Sequence, residues 1–182
     1  MQRRLVVVTA LAAVALAAGC GHDGGASSAP DPGAARRITL SSPAFPDGGT
    51  IPRRFTCDGE NVSPPLTLSG LPSATATVAL LVEDPDAPHG TFVHWLLWNA
   101  SPKETDWPVG RAPHGAIQGR NGFGKPGYGG PCPPRGHSPH HYVFSAYAVD
   151  RALSSAASPD DLAHALRGHT LAAGTLTGRY GR

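Results

Sequence analysis

The stretch GYGGPCPPRGHSPHHYVFSAYAVD, residues 127–150, joins two incompatible kinds of sequence. Its first fifteen residues contain four glycines and four prolines, a composition that excludes both a helix and a central strand. Three histidines lie in the same part, and an apolar run typical of a strand begins directly at Tyr142. A stiff loop that carries histidines is therefore placed directly against a strand.

The remaining apolar patterns predict a β-rich domain. The chain has 182 residues, about one domain, and its 23 glycines, 19 prolines and 15% charged residues favour many turns and few long helices. Ser158, Pro159 and two acids predict a helix that runs to about Arg167 and stops at Gly168. The predicted fold is a β-sandwich-like α+β domain with short helices near its C-terminal end. Strands are predicted at residues 37–41, 77–84, 91–100, 142–150 and 171–180, the last weakened by Gly174.

The N-terminal residues have the pattern of an export signal. Arg3 and Arg4 precede a continuous apolar run, 5–18, which is shorter than a typical membrane span. The run ends in LAAGC, which resembles a bacterial lipobox with Cys20 as the lipidated residue, although the favoured leucine sits one place early. The alternative is an ordinary secretory peptide. We therefore predict a lipoprotein-type signal peptide at 1–19, a flexible tether at 20–35 and a globular domain at 36–182.

Removal of that signal changes the charge balance. Without Arg3 and Arg4, 13 basic residues stand against 13 acidic ones, and no Lys/Arg cluster larger than a pair remains. This argues against nucleic-acid binding. If Cys20 carries lipid, Cys57 and Cys132 are an even pair in an oxidising compartment, where a disulfide is expected, with two separate thiols as the alternative.

Residues 101–141 show no convincing periodicity. A segment of that length inside a compact domain is usually functional or disordered. The segment contains large apolar side chains that can pack against the domain: Trp107, Ile117, Phe123 and Tyr128. We therefore expect an ordered loop that serves a function.

Several polar residues do not suit a core. Asp84 and Asp86 flank a proline where a predicted strand ends, so their carboxylates lie on a rigid turn. His94 lies among apolar strand residues; taken alone, it reads more readily as a core histidine than as a binding residue. His140 and Tyr142 alternate along the chain and therefore point to the same side.

At these residues the sequence resembles the phosphatidylethanolamine-binding protein family, and within it the bacterial branch described as Raf-kinase-inhibitor-like. The matching motifs run in order through residues 38–182. They are FTCDGENVSPPL at 55–66, DPDAPHGTFVHW at 84–95, GFGKPGYGGPCPP at 122–134, HHY at 140–142 and the closing GTLTGRYGR.

The resemblance implies two antiparallel sheets in Greek-key arrangement with a small anion-binding cavity at one end. Cys132 stands where animal members have glycine, and His141 stands where they have arginine, which leaves the charge at the rim open. Carried over residue by residue, the cavity lining is Asp84, Asp86, His94, Gly130, Pro133, Pro134, His140 and Tyr142.

An anion in such a cavity needs convergent donors: imidazole N–H, a tyrosine hydroxyl and backbone N–H groups of the glycine-rich turn. The aspartates are expected either to hold the histidines and raise the pKa of their imidazoles, or to bind the ammonium of a phosphoethanolamine head group. We therefore predict non-catalytic binding of small anions, phosphorylated ligands or phospholipid head groups, without a cofactor, on an exported protein anchored to a membrane by lipid. The alternative function is inhibition of an extracytoplasmic protease or another enzyme.

Other chemistries fit the sequence less well. The histidines could suggest a metal site, but the adjacent His140 and His141 would face opposite ways and no HxH or HExxH pattern occurs. No nucleophile lies in a GxSxG context, so a hydrolase is disfavoured. The sequence GFGKPGYGG lacks the GK[ST] ending of a phosphate loop. A formal glycosylation sequon at Asn61 is irrelevant if the lipobox correctly marks a bacterial protein.

Overall fold

A computed structural model describes residues 36–182. The predicted signal peptide at 1–19, the lipidation at Cys20 and the tether that extends to residue 35 lie outside the described residues.

The described residues form nine strands, one α-helix and one short 3-10 helix, Arg53–Phe55. The strand predicted at 37–41 is divided into two short strands, the other four predicted strands are present with small shifts at their ends, and three further short strands occur. The α-helix is α1, Pro159–Leu166. The strands are β1 Arg36–Arg37, β2 Thr39–Ser41, β3 Leu66–Ser69, β4 Thr77–Asp84, β5 Phe92–Ala100, β6 Asp106–Trp107, β7 Ile117–Gln118, β8 His140–Val149 and β9 Thr170–Tyr180.

The strands form two sheets. The larger sheet has the order β1-β9-β8-β4-β5-β7, and the smaller one has the order β2-β3-β6. Within the larger sheet, β5 lies between β4 and β7, and all three are antiparallel neighbours in chain order. Strand β8 returns to lie antiparallel to β4 on its other side. This is the predicted Greek-key arrangement. One pair departs from the antiparallel expectation, because β1 runs parallel to β9.

Two apolar cores lie on opposite faces of the larger sheet. The first contains Leu80 and Phe144 from that sheet together with Leu66 and Trp107 from the smaller sheet. This core therefore joins the two sheets, as inward-facing alternate residues do in a β-sandwich.

The second core lies on the other face of the larger sheet, where Leu81 and Tyr147 pack against Leu162 and Leu166 of α1. The predicted start of this helix is confirmed. The Ser158 hydroxyl accepts the backbone N–H of Asp161, and the Asp161 carboxylate accepts the backbone N–H of Ser158. This reciprocal cap satisfies backbone donors that a helix leaves unpaired at its first turn.

A β-bulge shapes the end of the sheet that carries the polar residues. The partner of β4 moves from Trp95, opposite Val82, to Val93, opposite Glu83. His94 is the extra residue that this shift leaves without a partner on β4. Because a bulge breaks the regular alternation of a strand, it can re-aim a side chain at a sheet end.

Gly174, which weakened the prediction of the last strand, has a packing reason. A Cβ atom at this position would collide with the carbonyl oxygen of Ile38. The chain passes close to β9 here, since the Ile38 N–H donates to the Ala173 carbonyl at 3.0 Å. Glycine at position 174 therefore permits the close approach of the N-terminal strands to β9.

We expect Gly174→Ala to lower the free energy of unfolding by about 1–3 kcal/mol, because the added methyl must displace backbone in a packed sheet. Urea unfolding followed by circular dichroism measures this change. The control is Thr175→Val on the exposed side of the same strand, which should change stability by less than about 0.5 kcal/mol. Equal stability of the two variants would contradict the close approach.

Candidate functional site

Four predicted site residues lie at the ends of three adjacent strands. Asp84 ends β4, His94 lies near the start of β5, and His140 and Tyr142 begin β8. Because β4 lies between β5 and β8, the fold brings together side chains that are up to 58 residues apart in sequence. All four are buried, with exposures of 1–5%.

Both oxygens of the Asp84 carboxylate accept hydrogen bonds from the protein. Its Oδ2 accepts a hydrogen bond from Nδ1 of His140 at 2.8 Å, with both side chains buried. Its Oδ1 accepts the backbone N–H of Asp86 at 2.9 Å, which closes the turn around Pro85. Asp84 therefore holds the His140 ring through Nδ1, and Nε2 is the ring nitrogen that remains for another partner. This contact agrees with the expected holding role of the aspartate.

Asp86 and His141 form a second pair at the rim, where both side chains are about 40% exposed. Oδ2 of Asp86 accepts both the backbone N–H and the Nδ1–H of His141, each at 2.7 Å. Partial burial opposes ionisation, but the hydrogen bonds from His141 outweigh it and lower the pKa of Asp86. The carboxylate thus stays charged and fixes the first residues of β8.

His94 is a neutral imidazole at pH 7. Burial is the main influence and lowers its pKa below 6.5, although the Gly129 carbonyl and the Asp84 charge act in the opposite direction. Its Nδ1–H donates to the Gly129 carbonyl at 2.6 Å. The expectation that the aspartates raise the pKa and make the ring a cationic donor is therefore wrong for His94, because desolvation exceeds the attraction. Its Nε2 is left as an acceptor.

The hydroxyl of Tyr142 is buried and has no hydrogen-bond partner among the described residues. Asp84 acts on it electrostatically without reaching hydrogen-bond geometry. Burial first, and then the Asp84 charge, raise the pKa of Tyr142 well above its usual value, so the hydroxyl remains a donor. Its ring meets the His94 ring edge-on, with centroids 5.1 Å apart. A buried donor without a partner costs stability, and a bound acceptor would satisfy it.

Two backbone N–H groups of the glycine-rich loop are already bonded within the protein. The Gly130 N–H donates to Oδ1 of Asn61 at 2.7 Å, and the Gly129 N–H donates to the His94 carbonyl at 2.8 Å. These two groups hold the loop, so the prediction that backbone N–H groups face an anion does not hold for Gly129 and Gly130. Of the two prolines assigned to the lining, Pro133 is buried and Pro134 is exposed.

The predicted disulfide between Cys57 and Cys132 is confirmed. It lies beside a backbone bond from the Cys57 N–H to the Pro131 carbonyl at 3.1 Å. The hydroxyl of Tyr128 adds a bond to the Phe55 carbonyl at 2.8 Å. These contacts clamp the loop to the segment 55–61, and hydrogen bonds therefore stiffen it together with its prolines.

Sequence reasoning missed three residues around His94. Asn61 was read only as a sequon, whereas its positive φ of 57° and its amide oxygen serve the loop. Left-handed backbone favours Asn, but a single sequence does not reveal where it occurs. Phe92 and Phe123 have ring centroids 5.0 and 5.7 Å from that of His94. Apolar residues carry no signal that separates a site wall from a core.

Comparison with known proteins agrees with this architecture. Residues 41–181 match the family model described as phosphatidylethanolamine-binding protein. A UPF0098 protein of Pyrococcus horikoshii is 44% identical over 150 residues, which cover 78% of this chain and 75% of the relative. The chain belongs to the phosphatidylethanolamine-binding protein family.

Two further relatives are informative. A crystal structure from Chlamydia trachomatis, of a candidate homologue of this family, has a TM-score of 0.76 at 37% identity and covers 81% of this chain and 99% of its own. LppC of Mycobacterium tuberculosis, named as a candidate lipoprotein, is 39% identical over 168 residues, which cover 84% of this chain and 83% of the relative. The chain is therefore similar both to a solved member of the fold and to a protein with a lipoprotein name.

Within residues 36–182, no three His, Cys, Asp or Glu side chains are grouped so as to hold a metal ion. The one α-helix of this region, α1, is too short to cross a membrane, and no longer apolar helix accompanies it there.

We expect the double variant Cys57→Ser/Cys132→Ser to lose about 4 kcal/mol of unfolding free energy, since the bond closes a loop of some 75 residues. Guanidinium unfolding without reductant measures the loss, and wild-type protein unfolded with reductant should match the variant. Cys20 is left unchanged in both proteins. Wild-type protein whose stability does not respond to reduction, although its thiols become titratable, would contradict this expectation.

Proposed function

We propose that the protein binds a small anion, such as a phosphoryl group or a phospholipid head group, between His94, His140 and Tyr142 without catalysing a reaction. The observation that carries the proposal is the Tyr142 hydroxyl, buried and without a hydrogen-bond partner in residues 36–182, beside the His94 ring. A group that a protein buries without satisfying it is a candidate for pairing with a ligand. A phosphoryl oxygen is a strong acceptor for such a hydroxyl.

The two buried imidazoles complement this donor. Nδ1 of His94 is bonded to Gly129 and Nδ1 of His140 to Asp84, so Nε2 of each ring is the atom left for a ligand. Neutral His94 accepts a proton from a hydrogen phosphate group or takes up a proton from solvent when an anion binds. Because the rings are already fixed, little side-chain entropy is lost on binding.

The hydrogen-bond partners of these imidazoles favour binding without catalysis. Through Nδ1, one ring bonds a backbone carbonyl and the other bonds a carboxylate. A histidine that activates a nucleophile would lie within hydrogen-bond reach of a hydroxyl or thiol. Cys57 and Cys132, the cysteines of the neighbouring loop, are joined to each other.

The proposal includes export and attachment to a membrane through Cys20. The supports are the signal-peptide pattern of residues 1–19, the lipoprotein name of the similar LppC, and the disulfide, which is typical of oxidising compartments. Residues 20–35 then act as a tether that lets the binding domain stand away from the membrane.

Tyr142→Phe tests the unpaired hydroxyl. Because the hydroxyl is buried and unpaired, its removal should leave the free energy of unfolding unchanged or raise it by up to about 1 kcal/mol. The same variant should bind inorganic phosphate and phosphoethanolamine about 2- to 10-fold more weakly, since one hydrogen bond to the ligand is lost. Isothermal titration calorimetry and urea unfolding measure the two effects.

The matched control for binding is His89→Gln, an exposed residue of the neighbouring turn, which should leave phosphate affinity unchanged. A Tyr142→Phe protein that is destabilised by more than about 1 kcal/mol, or that binds phosphate as tightly as wild type, would refute the role of the hydroxyl.

The lowered pKa of His94 predicts the pH dependence of binding. Sulfate is a suitable probe because it keeps its charge between pH 5 and pH 8, so any change in affinity comes from the protein. The bound anion favours the charged imidazole, so binding takes up a proton while the free ring is neutral. Sulfate affinity should therefore rise as the pH falls from 7 toward the lowered pKa, by up to about tenfold per pH unit for one proton.

His94→Gln should flatten this profile by the contribution of one proton, as measured by calorimetry at several pH values. A wild-type affinity for sulfate that is independent of pH, or that falls on acidification, would contradict the proposed protonation of His94 on binding.

A further inference from the structure

The segment 119–127 forms a closed hairpin whose tip stands in solvent. The Asn121 N–H donates to the Lys125 carbonyl at 2.8 Å, and the Gly127 N–H donates to the Gly119 carbonyl at 3.2 Å. The buried side chain of Asn121 holds the tip from inside, accepting the backbone N–H groups of Phe123 and Lys125. Residues 122–126 are all exposed, so the tip is an ordered projection from the protein surface.

Phe123 lies at the apex of the tip, and 48% of it is exposed. Its other side packs on Phe92, with ring centroids 4.8 Å apart. Glycine at positions 122 and 129 makes room for the two phenyl rings, since a Cβ atom there would collide with Phe92 and Phe123 respectively. The local structure thus supports a large apolar ring in a position where water covers nearly half of it.

The hairpin itself carries charges of one sign. From Trp107 to Val149 the chain contains no Asp or Glu, and this stretch includes the whole hairpin. Arg120 and Lys125 stand on the two legs of the hairpin, on either side of Phe123. The Arg120 guanidinium donates to the Gly124 carbonyl at 2.7 Å, which keeps this cation beside the tip.

We propose that this tip, residues 120–126, contacts the surface of an anionic phospholipid bilayer. Phe123 enters the boundary between head groups and acyl chains, and Arg120 and Lys125 meet the lipid phosphates. An aromatic ring with adjacent cations is the combination that favours the membrane interface, where apolar burial and attraction to anionic lipid act together. The two exposed cations of the tip, Arg120 and Lys125, together with the exposed Phe123 ring, are the features that select an anionic bilayer as the occupant.

This inference does not depend on the proposed anion site, although it agrees with it. The Phe123 ring touches the His94 ring, with centroids 5.7 Å apart, so a tip at the bilayer would place His94 beside the layer of head groups.

Tryptophan fluorescence in the full chain tests the contact at one residue. The three native tryptophans are buried, with exposures of 2–6%, so a Trp introduced by Phe123→Trp is the exposed reporter. On addition of phosphatidylcholine–phosphatidylglycerol vesicles, its emission should shift to shorter wavelength, and brominated acyl chains should quench it. Pure phosphatidylcholine vesicles should give a weaker response.

The matched control is Ile117→Trp, because Ile117 is 49% exposed and lies on β7, outside the tip. Its emission should stay unchanged under the same vesicles. The N-terminal segment is identical in both proteins, so a difference between them belongs to the tip. Equal quenching of both reporters, or quenching of neither, overturns the proposal.

Charge reversal provides a second test that does not rely on an introduced fluorophore. The chain has two lysines, Lys103 and Lys125, and both are exposed. Lys125→Glu should weaken co-sedimentation with anionic vesicles several-fold, whereas Lys103→Glu should not. An equal loss for both variants, or no loss for Lys125→Glu, overturns the proposal. Phosphate titration of Lys125→Glu separates the two proposals, because the anion site should still bind phosphate if only the tip has failed.

Discussion

The hydrogen bond between Asp84 and His140 is the constraint on which the candidate site depends. It joins the last residue of β4 to the first residue of β8, and both side chains are buried. A carboxylate buried without a partner would be costly, so the two residues hold each other in place. The same contact turns Nε2 of His140 away from Asp84 and fixes the start of β8, from which Tyr142 extends two residues later.

The glycine–proline loop completes the site from the other side, but it does so as a support. Its backbone N–H groups bind Asn61 and His94, and the disulfide ties it to the segment 55–61. The Gly129 carbonyl then accepts Nδ1–H of His94 and sets the orientation of that ring. Three side-chain atoms are left for a ligand: two imidazole nitrogens and one hydroxyl. Such an arrangement favours a small ligand that is rich in hydrogen-bond acceptors. Because these ligand contacts come from side chains, the loop can contain prolines, which have no backbone N–H.

Much of this architecture could be predicted from local patterns. The long strands followed from apolar runs, and α1 from the capping residues Ser158 and Asp161, because these signals act over a few residues. The chemistry at His94 could not be predicted. Its burial, the bulge that leaves it unpaired and the carbonyl of Gly129 all depend on contacts distant in sequence. For the same reason the backbone N–H groups of the loop were misassigned, since their partners, Asn61 and His94, lie 69 and 35 residues away.

The tautomers of His94 and His140 test the central claim most directly, because each depends on one contact that fixes the ring. Two-dimensional ¹⁵N–¹H NMR spectra of the ligand-free protein at pH 7.5 distinguish protonation at Nδ1 from protonation at Nε2. We expect a proton on Nδ1 of both rings and a lone pair on Nε2 of His94. A His94 ring protonated at Nε2 alone, or a His140 ring that exchanges freely between tautomers, would contradict the preorganised site.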